Sequence, residues 1–131
     1  MPSPYPLRTE RLVMRVMRIT DAASFAAYRN DPDVARYQSW NLPFTEQDAL
    51  SMLSGQDDRD DVSPGQWTQF AIERDGELVG DVCAHIDNTC GVAEIGFTLA
   101  CTHQGRGYAS EAAQALVRDL VQRVGVGARA K

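Results

Sequence analysis

The stretch Glu94-Ile95-Gly96-Phe97-Thr98-Leu99-Ala100-Cys101-Thr102-His103-Gln104-Gly105-Arg106-Gly107-Tyr108-Ala109-Ser110-Glu111-Ala112 decides the fold. On its N-terminal side Ala93, Ile95, Phe97 and Leu99 face one way, and Val92, Glu94, Gly96 and Thr98 face the other, which is the period of a strand. On its C-terminal side Ala109, Ala112, Ala113, Leu116, Val117, Leu120, Val121 and Val124 recur at helical spacing. Ser110, Glu111, Gln114, Arg118, Asp119, Gln122 and Arg123 fill the opposite helix face, and Gly125 and Gly127 end it. A strand that passes through a glycine turn straight into a helix aims several unpaired main-chain N–H groups at one point. That point also lies at the positive end of the helix dipole. A pyrophosphate fits such a place, because glycine lets an anion approach the main chain closely. Arg106 and the hydroxyl of Ser110 are placed to add contacts.

Two common phosphate loops are excluded. A dinucleotide turn needs a third glycine where Ser110 stands, and the loop of nucleoside triphosphatases needs Gly-Lys-Ser/Thr.

Outward from this junction, Trp67 to Arg74 and Glu77 to Ile86 read as strands around Asp75-Gly76, a strong hairpin signal. A looser connection, Asp87 to Gly91, leads back to the Val92–Leu99 strand. Towards the N-terminus, Leu12, Met14 and Val16 alternate with Arg11, Val13, Arg15 and Met17, a strand with one well-buried face. Thr20-Asp21 offers an N-cap for a helix through Phe25 and Tyr28, which Asn30-Asp31-Pro32 breaks. A short helical turn is expected around Val34 to Tyr37. Thr45-Glu46-Gln47-Asp48 resembles a capping box with Asp in place of Glu, and starts a helix that stops near Gly55. Gln56 to Gly65, rich in Asp, reads as a solvated loop, and residues 128–131 carry no predicted element.

The whole chain of 131 residues has the length of one domain. With a formal net charge of −5, wrapping a phosphate backbone is excluded as a main activity, whereas a cationic amine is mildly attracted. No apolar run approaches a membrane span, and Met1 to Pro6 does not read as a signal peptide, so the cytoplasm is the expected compartment. The three cysteines, Cys83, Cys90 and Cys101, form no C-x-x-C pair and suggest neither disulfides nor a zinc ribbon. Cys83 and His85 share a strand face, which permits a metal on paper; a small buried thiol and a hydrogen-bonded His is the reading adopted, with no metal.

Gln104-Gly105-Arg106-Gly107-Tyr108-Ala109 matches the pattern Q/R-x-x-G-x-G/A of the GNAT superfamily of acyl-CoA-dependent N-acyltransferases. The resemblance runs from about Leu7 to Val124: Arg8-Thr9-Glu10-Arg11-Leu12-Val13-Met14-Arg15, Thr20-Asp21-Ala22, Gly76-Glu77-Leu78-Val79-Gly80-Asp81, Glu94-Ile95-Gly96-Phe97 and Gly105 to Ala112. In order and spacing these look like the branch typified by ribosomal-protein N-terminal acetyltransferases. The resemblance implies a mixed α/β fold, a central, mostly antiparallel sheet flanked by helices. It also implies that the chain stops after the pyrophosphate-binding helix, before that fold is complete.

For the site, the resemblance implies acetyl-CoA as cosubstrate, in a wedge where the Val92–Leu99 strand parts from a following strand. The pantetheine arm would pair with main-chain groups near Phe97, Thr98 and Leu99, and the pyrophosphate with N–H groups of Gln104, Gly105, Arg106, Gly107, Tyr108, Ala109 and Ser110. Gly96 either leaves room beside the strand or simply packs there.

The chemistry needs a neutral amine, an N–H near the oxyanion formed from the thioester carbonyl, and a proton for the leaving thiolate. Glu94, on the same face as Gly96 and Thr98, is the best proton acceptor, acting through water; a structural pairing with an arginine stands as the other reading. His85 is a weaker one. Tyr37, Trp40 and Phe44 lie where similar proteins border the acceptor pocket, and Trp40 is the residue assigned to line it. The expected partner is a small-molecule or peptide amine, with no nucleic acid and no membrane, and the expected assembly is a homo-oligomer. The competing reading is a non-catalytic acyl-CoA-binding or assembly module.

Overall fold

A computed structural model describes residues 4–36, 42–87, 91–100 and 103–130. Six strands form one sheet in chain order: β1 (Leu7–Arg8), β2 (Val13–Val16), β3 (Trp67–Arg74), β4 (Glu77–Ile86), β5 (Val92–Leu99) and β6 (Gly127–Ala130). The first five pair antiparallel, and β6 joins β5 in parallel. Helices α1 (Ala22–Arg29), α2 (Pro32–Ala35) and α3 (Glu46–Ser54) precede β3. Helix α4 (Tyr108–Asp119) continues as a wider turn, Leu120–Val124, and stops at Gly125 with φ 84°.

The sheet is the middle layer. Met14, Val16, Phe70, Val82, Ala84 and Ile95 bury one face against Tyr108, Ala112, Leu116 and Leu120 of α4. Met17 and Ala71 bury the other with Phe25 and Ala26 of α1, Val34 of α2, and Ala49 and Leu53 of α3. Strand periodicity at β2 and helical periodicity at α4 therefore point into the same core, which is how two different periods make one layer contact.

Local signals explain most boundaries. At the β3–β4 turn Asp75 (φ 52°) and Gly76 (φ 79°) are both left-handed, as a two-residue hairpin requires. At α3 Thr45 Oγ1 accepts from Asp48 N at 3.0 Å, and Asp48 Oδ2 accepts from Thr45 N at 2.9 Å, so Asp closes the box in place of Glu. Thr45→Ala is expected to cost about 1 kcal/mol in a urea unfolding experiment. Asp31 caps α2 by accepting from Asp33 N, with Pro32 in the first turn.

Three expectations need correction. Residues 128–130 are not element-free: together with Gly127 they form β6 after the helix, pairing Val92↔Gly127 to Ile95↔Ala130. The segment has weak strand propensity of its own, and the open edge of β5 supplies the partner. Asp21 does not cap α1; its carboxylate takes both guanidinium nitrogens of Arg15, each at 2.8 Å, and the N–H of Arg18.

The Gln56–Gly65 loop is exposed at Asp57, Asp58, Asp60, Pro64 and Gly65, as expected, but it is also tied down. Arg18 donates to the carbonyls of Gln56, Asp57 and Arg59, and Asp61 takes Arg123 in two bonds of 2.7 and 2.8 Å. Buried Gln56 bridges β2 and β3, donating to the carbonyls of Met17 and Gln69 and accepting from Gln69 N. Arginines far away in sequence fix a loop whose composition alone reads as water-facing.

Candidate functional site: a strand end beside a glycine turn

Strand β5 pairs with β4 from Ala93 to Leu99 and with β6 from Val92 to Ile95. The β6 pairing is described as far as Ala130, opposite Ile95, where the described residues end, while pairing with β4 runs on to Leu99. Along Gly96–Leu99 the main-chain groups on the β6 side thus have no strand partner among the described residues. Phe97 shares the α4 face of the strand with Ile95, yet is 51% exposed. The expected inward packing is incomplete at this residue.

Immediately after this segment comes the turn. Gly105 (φ 77°) and Gly107 (φ 79°) both adopt left-handed backbone. Gly107 is the N-cap of α4, so the cap residue itself has no side chain to bond the first N–H groups. Its carbonyl accepts from Glu111 N at 3.0 Å, which leaves the N–H groups of Tyr108, Ala109 and Ser110 ahead of the helical ladder. A Cβ on Gly105 would meet nothing within 4 Å, so the approach to the main chain is open.

Phe97, Thr98, Leu99, Gln104, Gly105 and Ala109 line one pocket of about 290 Å³. Residues expected to hold the pantetheine and residues expected to hold the pyrophosphate are brought together there. Gln104 also closes the turn, donating from Nε2 to the Leu99 carbonyl at 3.1 Å. Ser110 accepts from Gln114 Nε2 at 3.1 Å, and its own O–H stays available.

The remaining residues stand outside that lining. The Tyr108 ring is wholly buried in the core, so only its N–H faces the turn. Burial raises the pKa of its phenol, but hydrogen bonds from Arg74 and Arg106 outweigh this and bring it below the ordinary value. Glu94 sits on the opposite face of β5, in register with His85 of β4, whose ring packs 5.1 Å from that of Trp67. Phe44 is a core residue against Phe25, with its main chain held by Asn30. Tyr37 and Trp40 lie outside the described residues. Among the described residues no group of three His, Cys, Asp or Glu could hold a metal ion, and Cys83 is a buried free thiol.

Sequence reading missed the residues that hold the turn in place. Arg11 lies across the start of α4: Nε donates to Glu111 at 2.7 Å, Nη1 to the Arg106 carbonyl at 2.9 Å, and the guanidinium stacks 4.7 Å above the Tyr108 ring. Glu111 also accepts from Arg11 N and from the hydroxyl of Thr9. The Thr9-Glu10-Arg11-Leu12 motif was visible, but its target is 100 residues away.

Burial pushes the Glu111 carboxyl up, yet Thr9 and Arg11 more than offset this and hold its pKa below the ordinary value. A depressed carboxylate stabilises the fold at pH above its unfolded value and loses that contribution as pH falls through the folded one. Melting temperatures of the parent and Glu111→Gln are therefore expected to differ at pH 7 and to converge in acid.

Comparison with known proteins agrees with this geometry. The family described as acetyltransferase (GNAT) domain matches residues 11–129, from the Arg11 clamp to β6. The chain is 38% identical over 120 residues to the uncharacterized N-acetyltransferase p20 of Bacillus licheniformis, covering 85% of this chain and 63% of that protein. It thus spans less than two thirds of that curated relative.

Among solved structures, a GNAT-family acetyltransferase from Bacillus anthracis superposes with a TM-score of 0.73 at 27% identity, over 92% of this chain and 68% of that one. A ribosomal L7/L12 alpha-N-protein acetyltransferase, solved with coenzyme A, gives 0.75 at 19% identity, over 92% of this chain and 70% of that one, a likeness of fold. With strand, turn and helix arranged as the motif requires, and the match extending over nearly the whole described chain, this protein belongs to the GNAT acetyltransferase family.

Proposed function

We propose that this chain carries an acetyl group from acetyl-CoA to a primary amine, a peptide amino terminus or a small-molecule amine, by direct attack. The observation that supports it is the pocket where Phe97, Thr98 and Leu99 of β5 meet the glycine turn before α4. The residues fit such a cosubstrate: the turn is open at Gly105, uncapped at Gly107, and presents N–H groups to a diphosphate. Acetyl-CoA supplies the activated acyl group. Gly96 to Leu99 orient its arm by main-chain pairing, as a strand would, and the N–H groups of Gln104 to Ser110 hold its phosphates.

Glu94 takes the proton of the attacking amine through a water molecule. It lies on the acceptor face of β5, two residues before Gly96. The amine nitrogen bonds to the acyl carbon, the carbon–sulfur bond breaks, and the thiolate leaves to be protonated. Trp40 lines the acceptor side in this reading. The protein works in the cytoplasm without a metal ion, nucleic acid or membrane as partner. No helix among the described residues is long and apolar enough to cross a membrane.

Thiol release from acetyl-CoA with a panel of amines and amino-terminal peptides tests the proposal, alongside calorimetry with CoA. Binding without thiol release would assign the chain to the acyl-CoA-binding modules instead. In an active preparation Glu94→Gln is expected to slow turnover about 10²-fold with CoA affinity unchanged. Turnover and a pH–rate profile equal to the parent's would leave Glu94 a structural carboxylate.

We also propose a homo-oligomer. An apolar groove of about 440 Å³ on the outer side of α4, bordered by Ala113, Val117 and Val121, supports that reading. Light scattering at micromolar concentration checks it, and a monomer there would refute it.

A further inference from the structure

The sheet face opposite the glycine turn is built of three cross-strand rows. Trp67, His85 and Glu94 form the row at its open end, and Ala71, Asp81 and Thr98 the row under α1. Between them run Gln69, Cys83 and Gly96. This middle row ends at Gly96 of β5.

Gln69 is 4% exposed, and its carboxamide oxygen has no hydrogen-bond partner. Its main chain, by contrast, is satisfied. Its N–H donates to Gln56 at 2.9 Å, and its carbonyl accepts from Gln56 at 2.8 Å and from Met17 N at 2.9 Å. A buried acceptor left unmade is costly, and folded proteins keep very few of them. Violations of this kind concentrate at functional sites, where the missing partner is a ligand.

We infer that Gln69 is an acceptor-binding residue, whose carboxamide oxygen takes an N–H of a peptidyl amino terminus. Neighbouring strands lie about 4.8 Å apart, so a glutamine side chain on β3 reaches as far as Cys83 on β4, and an acceptor whose nitrogen stands at Gly96 has to extend over Cys83 to meet it. The row carries no charge, since Cys83 and Gly96 accompany Gln69. A neutral amide therefore meets the incoming nitrogen without holding it as an ammonium. A peptide offers a further backbone N–H one residue beyond the reacting amine, and a buried carboxamide oxygen can accept it. The inference rests on the acetyl-transfer reading above and adds the group that recognises the acceptor.

Gln69→Met keeps side-chain length and removes the oxygen. The probe for the acceptor arm is a conjugate in which CoA is joined through an acetyl bridge to the amino group of a seryl tripeptide. In the parent protein this conjugate is expected to bind at least tenfold more tightly than CoA. In Gln69→Met that advantage should vanish, with CoA affinity itself held within twofold. The ligand-free variant should melt about 3 °C higher than the parent, because an unmade bond has been removed.

A lower melting temperature would show that an ordered water or other structural partner satisfies the oxygen, and would overturn the assignment. So would a conjugate advantage that survives in the variant, or one already missing in a parent that binds CoA. Failure of the parent to bind CoA at all would instead sink the acetyl-transfer reading, and this one with it.

Discussion

Gly107→Val is expected to weaken CoA binding about 10³-fold, the loss of two charge-assisted main-chain hydrogen bonds at about 2 kcal/mol each. Gly107 holds φ at 79°, a conformation that a β-branched residue adopts only with strain. Relaxing that strain turns the peptide planes before α4 and removes the N–H groups from their common focus. The new side chain also reaches Arg11, since a Cβ at this position stands 3.3 Å from Nη2 of its guanidinium. Arg11 would then lose its bond to the Arg106 carbonyl, which keeps the turn against the helix start. Calorimetry with CoA reads the effect, and a thermal melt separates it from general unfolding. Gly55→Ala is the control: its φ of −70° suits any residue, and both readings should stay near the parent's. Unchanged CoA affinity in Gly107→Val would remove the glycine turn from the binding site.

Asp81→Ala is expected to cost about 3–5 kcal/mol of stability, the scale for removing one partner of a buried ion pair. Asp81 is 1% exposed on β4, accepts from the hydroxyl of Tyr28, and lies 3.8 Å from the guanidinium of Arg29, itself 6% exposed. Burial, and then the Asp81 carboxylate, push the Tyr28 phenol well above its ordinary pKa, so it remains a donor throughout the usable pH range. Arg29 also lies 4.4 Å above the Phe25 ring and 5.1 Å from that of Phe44. One carboxylate thus ties α1 and the chain around Phe44 to the centre of the sheet. Without it the Arg29 charge stays buried and loses its counter-ion. Asp81→Asn keeps an acceptor for Tyr28 and should cost clearly less. Urea unfolding of the three proteins ranks them, and equal midpoints would show that the pair contributes nothing net.

Much of this architecture was legible locally. The period of β2 and of α4, the Asp75-Gly76 turn and the Thr45–Asp48 box each depend on residues within one or two turns of each other. Short-range geometry dictates such features whatever the rest of the chain does. The backbone of the glycine turn belongs with them, because left-handed conformations before a helix favour glycine at those positions, whereas Arg11, which braces the turn, comes from far along the chain.

The Gln56–Gly65 loop, β6 and the floor of the acceptor face were not legible in this way. Asp61 reads as a solvent residue until Arg123 arrives from 62 positions away, and residues 127–130 become a strand only because β5 offers an edge there. Gln69 is an ordinary polar residue on a strand until β2, β4 and Gln56 surround it and leave one oxygen unmade. By itself the sequence determined the strand–turn–helix element and its family, since those follow from backbone conformations that few residues permit. Tertiary structure alone decided which polar groups are paired and which strand edge residues 127–130 join. Both depend on contacts between segments whose distance along the chain hides them from any local pattern.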